Sequence, residues 1–315
     1  MSFLHGKASD LAGRLQRVLT WRNRGVTIAP SFDYEFYAKG NRGFRSQEEA
    51  YEHFLREGKE AGLKGSPGCD QGYFLRMIQH IKPQSVLELG PGAAPKLIGP
   101  NVFYFDVKTA DELRDRYRND GCNEAVPREI HFVEPNGDMS IIDRKFDVVF
   151  SAHVIEHTPD LVMHLMQIES LLNEGGYYFL VVPNKKFTFD YFKPRTVLED
   201  VVAAHLDPNG AETIFLRSFL LEEFRRTHNT ARTHWIGDHG APRGISGNID
   251  QVRTKYEGVK SRPVARSGYH RWIFDEDAFV EVINGLYTLG ISPLRVNQCY
   301  NTITNSLSFN AILSR

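Results

Sequence analysis

At 315 residues the chain is long enough to bury a sizeable core, as one large domain or two modest ones. Thirty-eight basic residues against thirty-nine acidic leave a net charge of −1, which gives no global argument for a nucleic-acid partner, and the apolar and charged fractions (41% and 24%) are those of an ordinary folded chain. Cys69, Cys122 and Cys299 are scattered with no CxxC pair, so a zinc ribbon or disulfide framework is excluded; with no run of ~20 apolar residues and no signal-peptide core, the expected location is the cytoplasm.

In chain order, Leu11, Leu15, Val18 and Leu19 recur at helical spacing among Arg14, Arg17, Arg22 and Arg24. This predicts an amphipathic helix, packed on its own domain or resting as a basic helix on an anionic membrane. An aromatic helical pattern, Gln47 to Glu57, is closed by Gly58, and residues 72–80 form a further helix. Strand-like runs then alternate with helical ones, the signature of a parallel α/β sheet. Strands are expected at 85–90, 101–106, 129–134, 146–153 and 177–183, with helices at 110–120 and 161–172. The alternation breaks over 186–270, a polar, histidine-bearing stretch, and resumes with a helix at 275–290. Two closing strands, 293–302 and 306–315, turn around Asn305 as a hairpin.

The stretch Ser85–Asp106, SVLELGPGAAPKLIGPNVFYFD, raises the question of which nucleotide it holds. A dinucleotide fingerprint needs G-x-G-x-x-G, but here Pro95 takes the third glycine's place and Gly99-Pro100 leaves room for barely one helical turn. Without a helix there is no dipole end for a pyrophosphate, so a nicotinamide oxidoreductase is disfavoured. The loop suits a nucleoside lacking phosphates. Asp106, ending the second strand, is placed to accept from ribose hydroxyls. Glu88 could hold an ammonium through the loop. A zwitterionic amino acid joined to adenosine is S-adenosylmethionine (SAM).

At this point VLELGPGAAP, FYFD, FDVVFSAHVIEHTPD and LLNEGGYYFLVVPN, in that order, resemble a class I SAM-dependent methyltransferase. More closely, they resemble a subtype with a shortened first helix met beside bacterial glycosyltransferases, over roughly 80–200 and the closing helix and hairpin. The resemblance implies a Rossmann-like seven-stranded sheet with an antiparallel final strand and helices on both faces. It implies four regions: an N-terminal helical segment (1–80), a SAM-binding core (81–185), a substrate-capping insertion (186–270) and a closing helix with hairpin (271–315). Ala94 and Asn184 depart from the usual glycine and acid of the family.

The resemblance puts Glu88, Gly90, Gly92 and Asp106 on the cofactor, together with Ser151 and His153 at the end of the fourth strand and an acid, Glu134 or Asp138, at the adenine. His153, Glu156 and His157 fall beside the transferable methyl. Three readings stay open: an acceptor-side wall with a histidine base, metal ligation by His153, Glu156 and His157 (a similar run in some quinone-precursor methyltransferases binds a divalent ion), or His157 as a packed loop cap. The expected base is His157 first, then Asp190 or His153. Asp190 alternatively pairs with Arg195, near Lys185 and Thr196. His205, His234 and His239 are further pocket candidates that nothing places. Residues 251–266 carry five basic residues and read as a solvated loop or an anion-attracting patch.

Residues 31–70 resemble a short helical module attached to bacterial glycosyltransferases, which tilts the acceptor toward a sugar of a surface glycan or its precursor. Expected partners are therefore a small-molecule or glycan acceptor, a glycosyltransferase and a peripheral membrane contact, without nucleic acid. The alternatives are another small-molecule or lipid-linked acceptor, and a non-catalytic scaffold for glycosyltransferases.

Overall fold

The computed structural model describes residues 32, 34–41, 43–58, 61, 63–65, 68–244, 247–261 and 268–315. The basic helix expected around 11–19 lies outside them. Two short helices, Tyr34–Gly40 (α1) and Gln47–His53 (α2), pack around Phe32, Tyr37, Ala50 and Phe54, an aromatic cluster of its own. The Ser46 side chain caps α2, and a single wider turn, Phe54–Gly58, continues it to the predicted glycine stop. Gln71–Ile81 (α3) starts on the Asp70 cap and ends at Lys82 in a left-handed conformation.

Seven strands form one sheet: Val86–Leu89 (β1), Val102–Asp106 (β2), Phe132–Val133 (β3), Phe146–Ala152 (β4), Leu172–Pro183 (β5), Arg295–Tyr300 (β6) and Ser308–Ser314 (β7). Their order is β3-β2-β1-β4-β5-β7-β6. β1 to β5 run parallel, and β7 lies antiparallel between β5 and β6. The expected Rossmann-like sheet with a reversed last strand is thus present. β1 is buried along its whole length, as a central parallel strand covered on both faces must be. Two apolar clusters fill the two faces. Leu87, Val149 and Leu180 point to one, toward Leu161–Leu171 (α5) and Glu276–Thr288 (α10); Val86, Val148 and Phe179 point to the other, toward α3.

Between β1 and β2 there is no helix, as the prolines predicted. Glu88 organises that connection: its two carboxylate oxygens accept from the Lys96 and Leu97 N–H groups at 2.8 and 2.9 Å. Tyr104 donates to the Leu97 carbonyl at 2.7 Å. After β2 the charged helix Ala110–Tyr117 (α4) opens on a Thr109–Glu112 capping box.

β5 begins at Leu172 rather than at the expected Tyr177. The Asn173–Gly176 stretch stays extended beyond α5, with Gly175 at positive φ and a register shift against Phe146–Val148.

Among its described residues the insertion holds four helices: Leu198–Leu206 (α6), Gly210–Arg225 (α7), Ala231–Trp235 (α8) and Ile249–Lys260 (α9). α9 replaces much of the loop expected over 251–266. Asn248 and Gln251 form a capping box there, and Tyr256 packs on Phe215 and Phe219. Residues 262–266 of that run lie outside the described ones. Among the described residues no helix is long and apolar enough to cross a membrane.

The end of the insertion is threaded back through the core. Arg271 and Trp272 donate backbone N–H bonds to the Glu156 carbonyl at 2.7 and 3.2 Å, and Trp272 Nε1 donates to the Thr158 carbonyl at 2.8 Å. Thr196 and Ile273 exchange two bonds of 2.8 Å, and Lys185 N–H donates to the Phe274 carbonyl at 2.7 Å. One hydrogen-bonded unit therefore joins the loop after β4, the loop after β5 and residues 271–274.

Candidate active site

Two clefts open at the carboxyl ends of β1, β2 and β4, the switch point of an open α/β sheet. The first, of about 380 Å³, is lined by Gly90, Gly92, Asp106, Asp138, Met139, His153 and His157, among others. The second, of about 650 Å³, shares Gly90, Gly92, Tyr117 and His153 with it and runs past Glu88, Lys96 and Asp120 to Ser306, Ser308 and Asn310.

The glycine turn is shaped for close approach. Gly90 and Gly92 have φ of 61° and 52°; a Cβ on Gly90 would stand 2.9 Å from Val154 Cγ2, and one on Gly92 3.2 Å from the Tyr117 hydroxyl. Asp106 ends β2 inside the first cleft and accepts from the Lys108 N–H at 3.0 Å. Burial raises its carboxyl above the ordinary value, against the opposing pull of backbone N–H donors from Lys108, Gly92 and Val107. A buried carboxylate at that strand end, a turn whose backbone a ligand can reach and the apolar Leu89 and Met139 nearby fit the ribose, the amino-acid arm and the adenine of SAM.

The two acids left open at the adenine are separated by the turn after β3. Glu134 Oε2 accepts from the Asn136 and Asp138 N–H groups at 2.7 and 2.9 Å, which closes the turn. Asp138 lines the cleft, its Oδ1 accepting from Ser140 N–H and from Gln167 Nε2 at 2.6 Å. Glu88 lines the second cleft, though both its oxygens are engaged by the loop it supports; burial pushes its carboxyl up to about 7, opposed by those same N–H bonds. Ser151 is turned into the packed sheet, where its hydroxyl meets Tyr178, and lines neither cleft.

His153 stands where the clefts meet. Its φ is 56°, an uncommon conformation for a side chain of this size, and its Nε2 lies 2.9 Å from Ser308 Oγ. Its Nδ1 is 3.5 Å from Glu156 Oε1. Glu156 is wholly buried, and neither of its oxygens has a hydrogen-bond partner. His157 Nε2 and His270 Nε2 face the same Oε1 at 3.7 and 3.9 Å. Burial pushes the Glu156 carboxyl up, and the surrounding imidazoles more than offset it, leaving it below its ordinary value. His157 lines the first cleft and is held down to about 4, chiefly by burial.

Asp190 is not in either cleft. It is buried between Lys193 Nζ at 2.7 Å and His270 Nδ1 at 2.6 Å, which hold its carboxyl far below the usual range against the cost of burial. Lys193 also reaches Glu222 at 2.7 Å. The ion-pair partner is therefore Lys193; Arg195 turns instead to Glu281 at 3.5 Å. Lys185 Nζ donates to the Tyr191 carbonyl, and buried Asn184 bonds Thr302. Of the unplaced histidines, His205 pairs with Asp160 at 2.9 Å, while His234 and His239 meet each other at 3.0 Å beside Tyr191. None of the three lines a cleft. His270 was not foreseen: a lone histidine at the end of an irregular stretch carries no spacing that would point to Glu156.

A family model described as a methyltransferase domain matches residues 67–233, more than half of the chain. The chain belongs to that family, and its fold and site define a class I SAM-dependent methyltransferase whose cofactor is S-adenosyl-L-methionine. No curated protein matches the chain. Among solved structures, the CcbJ methyltransferase from Streptomyces caelestis shares 12% identity at a TM-score of 0.36, covering 73% of this chain and 88% of that one. A SAM-dependent methyltransferase from Clostridium acetobutylicum gives 12% and 0.33, covering 73% and 83%. The glycopeptide N-methyltransferase MtfA gives 19% and 0.26, covering 36% of this chain and 53% of its own. Scores this low leave the family match as the basis of the assignment.

Proposed function

We propose that this methyltransferase transfers the SAM methyl group to a hydroxyl of a sugar, in a surface glycan or its precursor. The observation that carries the reading is the second cleft: it starts at the glycine turn and is lined by Gln71, Lys96, Asp120, Ser306, Ser308 and Asn310, amide, hydroxyl and charged groups suited to a polyol. The first cleft, with Asp106, takes the nucleoside, and the methyl then falls near His153, one of the residues both clefts share.

Displacement at a sulfonium methyl is in-line, so most of the acceleration comes from holding the acceptor oxygen against it. A sugar hydroxyl is a poor nucleophile, and a positioned base adds roughly 10²–10⁴-fold. Carrying its proton on Nδ1, toward Glu156, His153 presents Nε2 as an acceptor; the Ser308 hydroxyl at 2.9 Å marks where an acceptor hydroxyl would donate. The resemblance of residues 31–70 to a short helical module attached to bacterial glycosyltransferases supports a glycan context.

The test is transfer of a labelled methyl from SAM to a panel of sugars, nucleotide sugars and glycan extracts, alongside amine and carboxylate acceptors. Turnover on a sugar hydroxyl that His153→Ala slows by about 10²-fold, at unchanged S-adenosylhomocysteine affinity, supports the reading. Turnover confined to amines or carboxylates sinks it. Cofactor binding without turnover on any extract, with a glycosyltransferase co-purifying, would favour the scaffold instead.

A further inference from the structure

We propose that Glu156, His157 and His270 hold a divalent transition-metal ion, with zinc the best fit to the donor set. The three donor atoms lie within 4.8 Å of one another. The Glu156 carboxylate is fully buried, its Oε1 faces this space, and neither oxygen has a hydrogen bond. A buried carboxylate left that way costs several kcal/mol unless a cation meets it (roughly, for an unpaired ion).

The imidazoles are oriented as ligands are. His157 Nδ1 is committed to the Tyr269 carbonyl at 3.0 Å and His270 Nδ1 to the Asp190 carboxylate at 2.6 Å, so each Nε2 is turned inward. A carbonyl or carboxylate behind the outer nitrogen is the usual way a metal-binding histidine is held. The inward separations, 3.7 and 3.9 Å, are too long for hydrogen bonds. They are close to the spacing of two donors sharing one ion, about 3.4 Å when each is ~2.1 Å from it at tetrahedral angles. Two nitrogens and one carboxylate oxygen disfavour magnesium and calcium, which take all-oxygen shells.

The ion would join two segments 113 or more residues apart in sequence, the loop after β4 and the end of the insertion, which the bonds from Arg271 and Trp272 to the Glu156 carbonyl already align. We assign it this clamping role. The inference is independent of the acceptor's identity. Its competitor is a proton: His270, protonated between Asp190 and Glu156, would balance the same charges without an ion.

The experiment is metal content by mass spectrometry on the full-length protein after chelation, incubation with Zn²⁺ and gel filtration. S-adenosylhomocysteine binding serves as the check of folding. The expected result is one equivalent of zinc in the wild type and in His239→Ala, which disables the separate His234–His239 pair, and loss of that equivalent in Glu156→Gln and His270→Ala. Zinc should also raise the unfolding midpoint of the chelated wild type. A folded wild type that takes up no stoichiometric zinc overturns the proposal in favour of the proton, as does equal uptake by Glu156→Gln. If those variants fail to fold, cobalt(II) added to the wild type decides: the intense visible bands of a four-coordinate site support the centre, and the weak spectrum of the hydrated ion overturns it.

Discussion

The Nε2 of His164 lies 3.1 Å from the Tyr178 hydroxyl, which in turn lies 2.8 Å from Ser151 Oγ, a polar chain closed inside the sheet's packing. Burial holds the His164 imidazole down to about 4, so the fold keeps it neutral where the unfolded chain, at the ordinary 6.5, takes up a proton. The unfolded state then binds more protons between those two values, and stability is lost as the pH falls through that window. The loss is about 3 kcal/mol at most, from 1.36 kcal/mol per pH unit. His164→Gln, uncharged at any pH, should show a shallower decline between pH 6.5 and 4 in denaturant titrations. His157 contributes with the same sign in both proteins, so the difference isolates His164. Parallel curves would refute the assignment.

Asp106→Ala should abolish the proposed ribose contact without harming the fold. Hydrogen bonds to a charged group are worth about 1.5–3 kcal/mol each, so calorimetry with S-adenosylhomocysteine should show affinity falling by roughly 10- to 100-fold or more. The raised carboxyl of Asp106 indicates that the fold carries an electrostatic cost there, so the unfolding midpoint should hold or rise. An unchanged affinity would place the nucleoside elsewhere.

Gly90→Ala meets two obstacles: a left-handed backbone, costing roughly 1–2 kcal/mol, and the Val154 methyl 2.9 Å from the new Cβ. Stability and cofactor affinity should both drop. Adding Val154→Ala removes the contact and leaves the backbone cost, so the double variant should recover part of the loss. No recovery would mean that the backbone alone decides.

Lys193 is buried between Asp190 and Glu222 at 2.7 Å from each. Lys193→Met keeps the volume and leaves two carboxylates without their shared cation. Removing one member of a buried ion pair costs about 3–5 kcal/mol, measurable as a lower denaturant midpoint. A loss below 1 kcal/mol would show that Arg226 and His270 suffice (roughly the value of an exposed pair).

The parallel strands, the missing first helix and the position of Asp106 at the end of β2 were legible because they rest on local signals: apolar runs, prolines and an acid at a strand end. The reversed last strand was legible from the short turn at Asn305, whose φ is 64°. Ser151, placed on the cofactor by resemblance alone, meets Tyr178 inside the sheet instead of lining a cleft, and no local signal in the sequence shows which way it faces. Glu134 and Asp138 were inseparable by spacing; only the turn, in which Glu134 is consumed by backbone donors, distinguishes them. The helix Ile249–Lys260 did carry a readable start, Asn248 with Gln251, hidden by its basic surface. His270 could not be read, because its partner Glu156 lies across more than a hundred residues, and only the folded chain brings them together.

The excursion after β5 departs and returns at one doorway, where Asn184 and Phe274 pair as an isolated bridge. Its length is therefore uncoupled from the sheet: the strands need only receive the chain back where they released it, and lengthening such a detour costs little, about 0.6 kcal/mol per doubling. The insertion is a cassette. A different excursion, grafted between the same two residues, would leave the strands unchanged, provided it ends in the short segment that docks on the loop after β4.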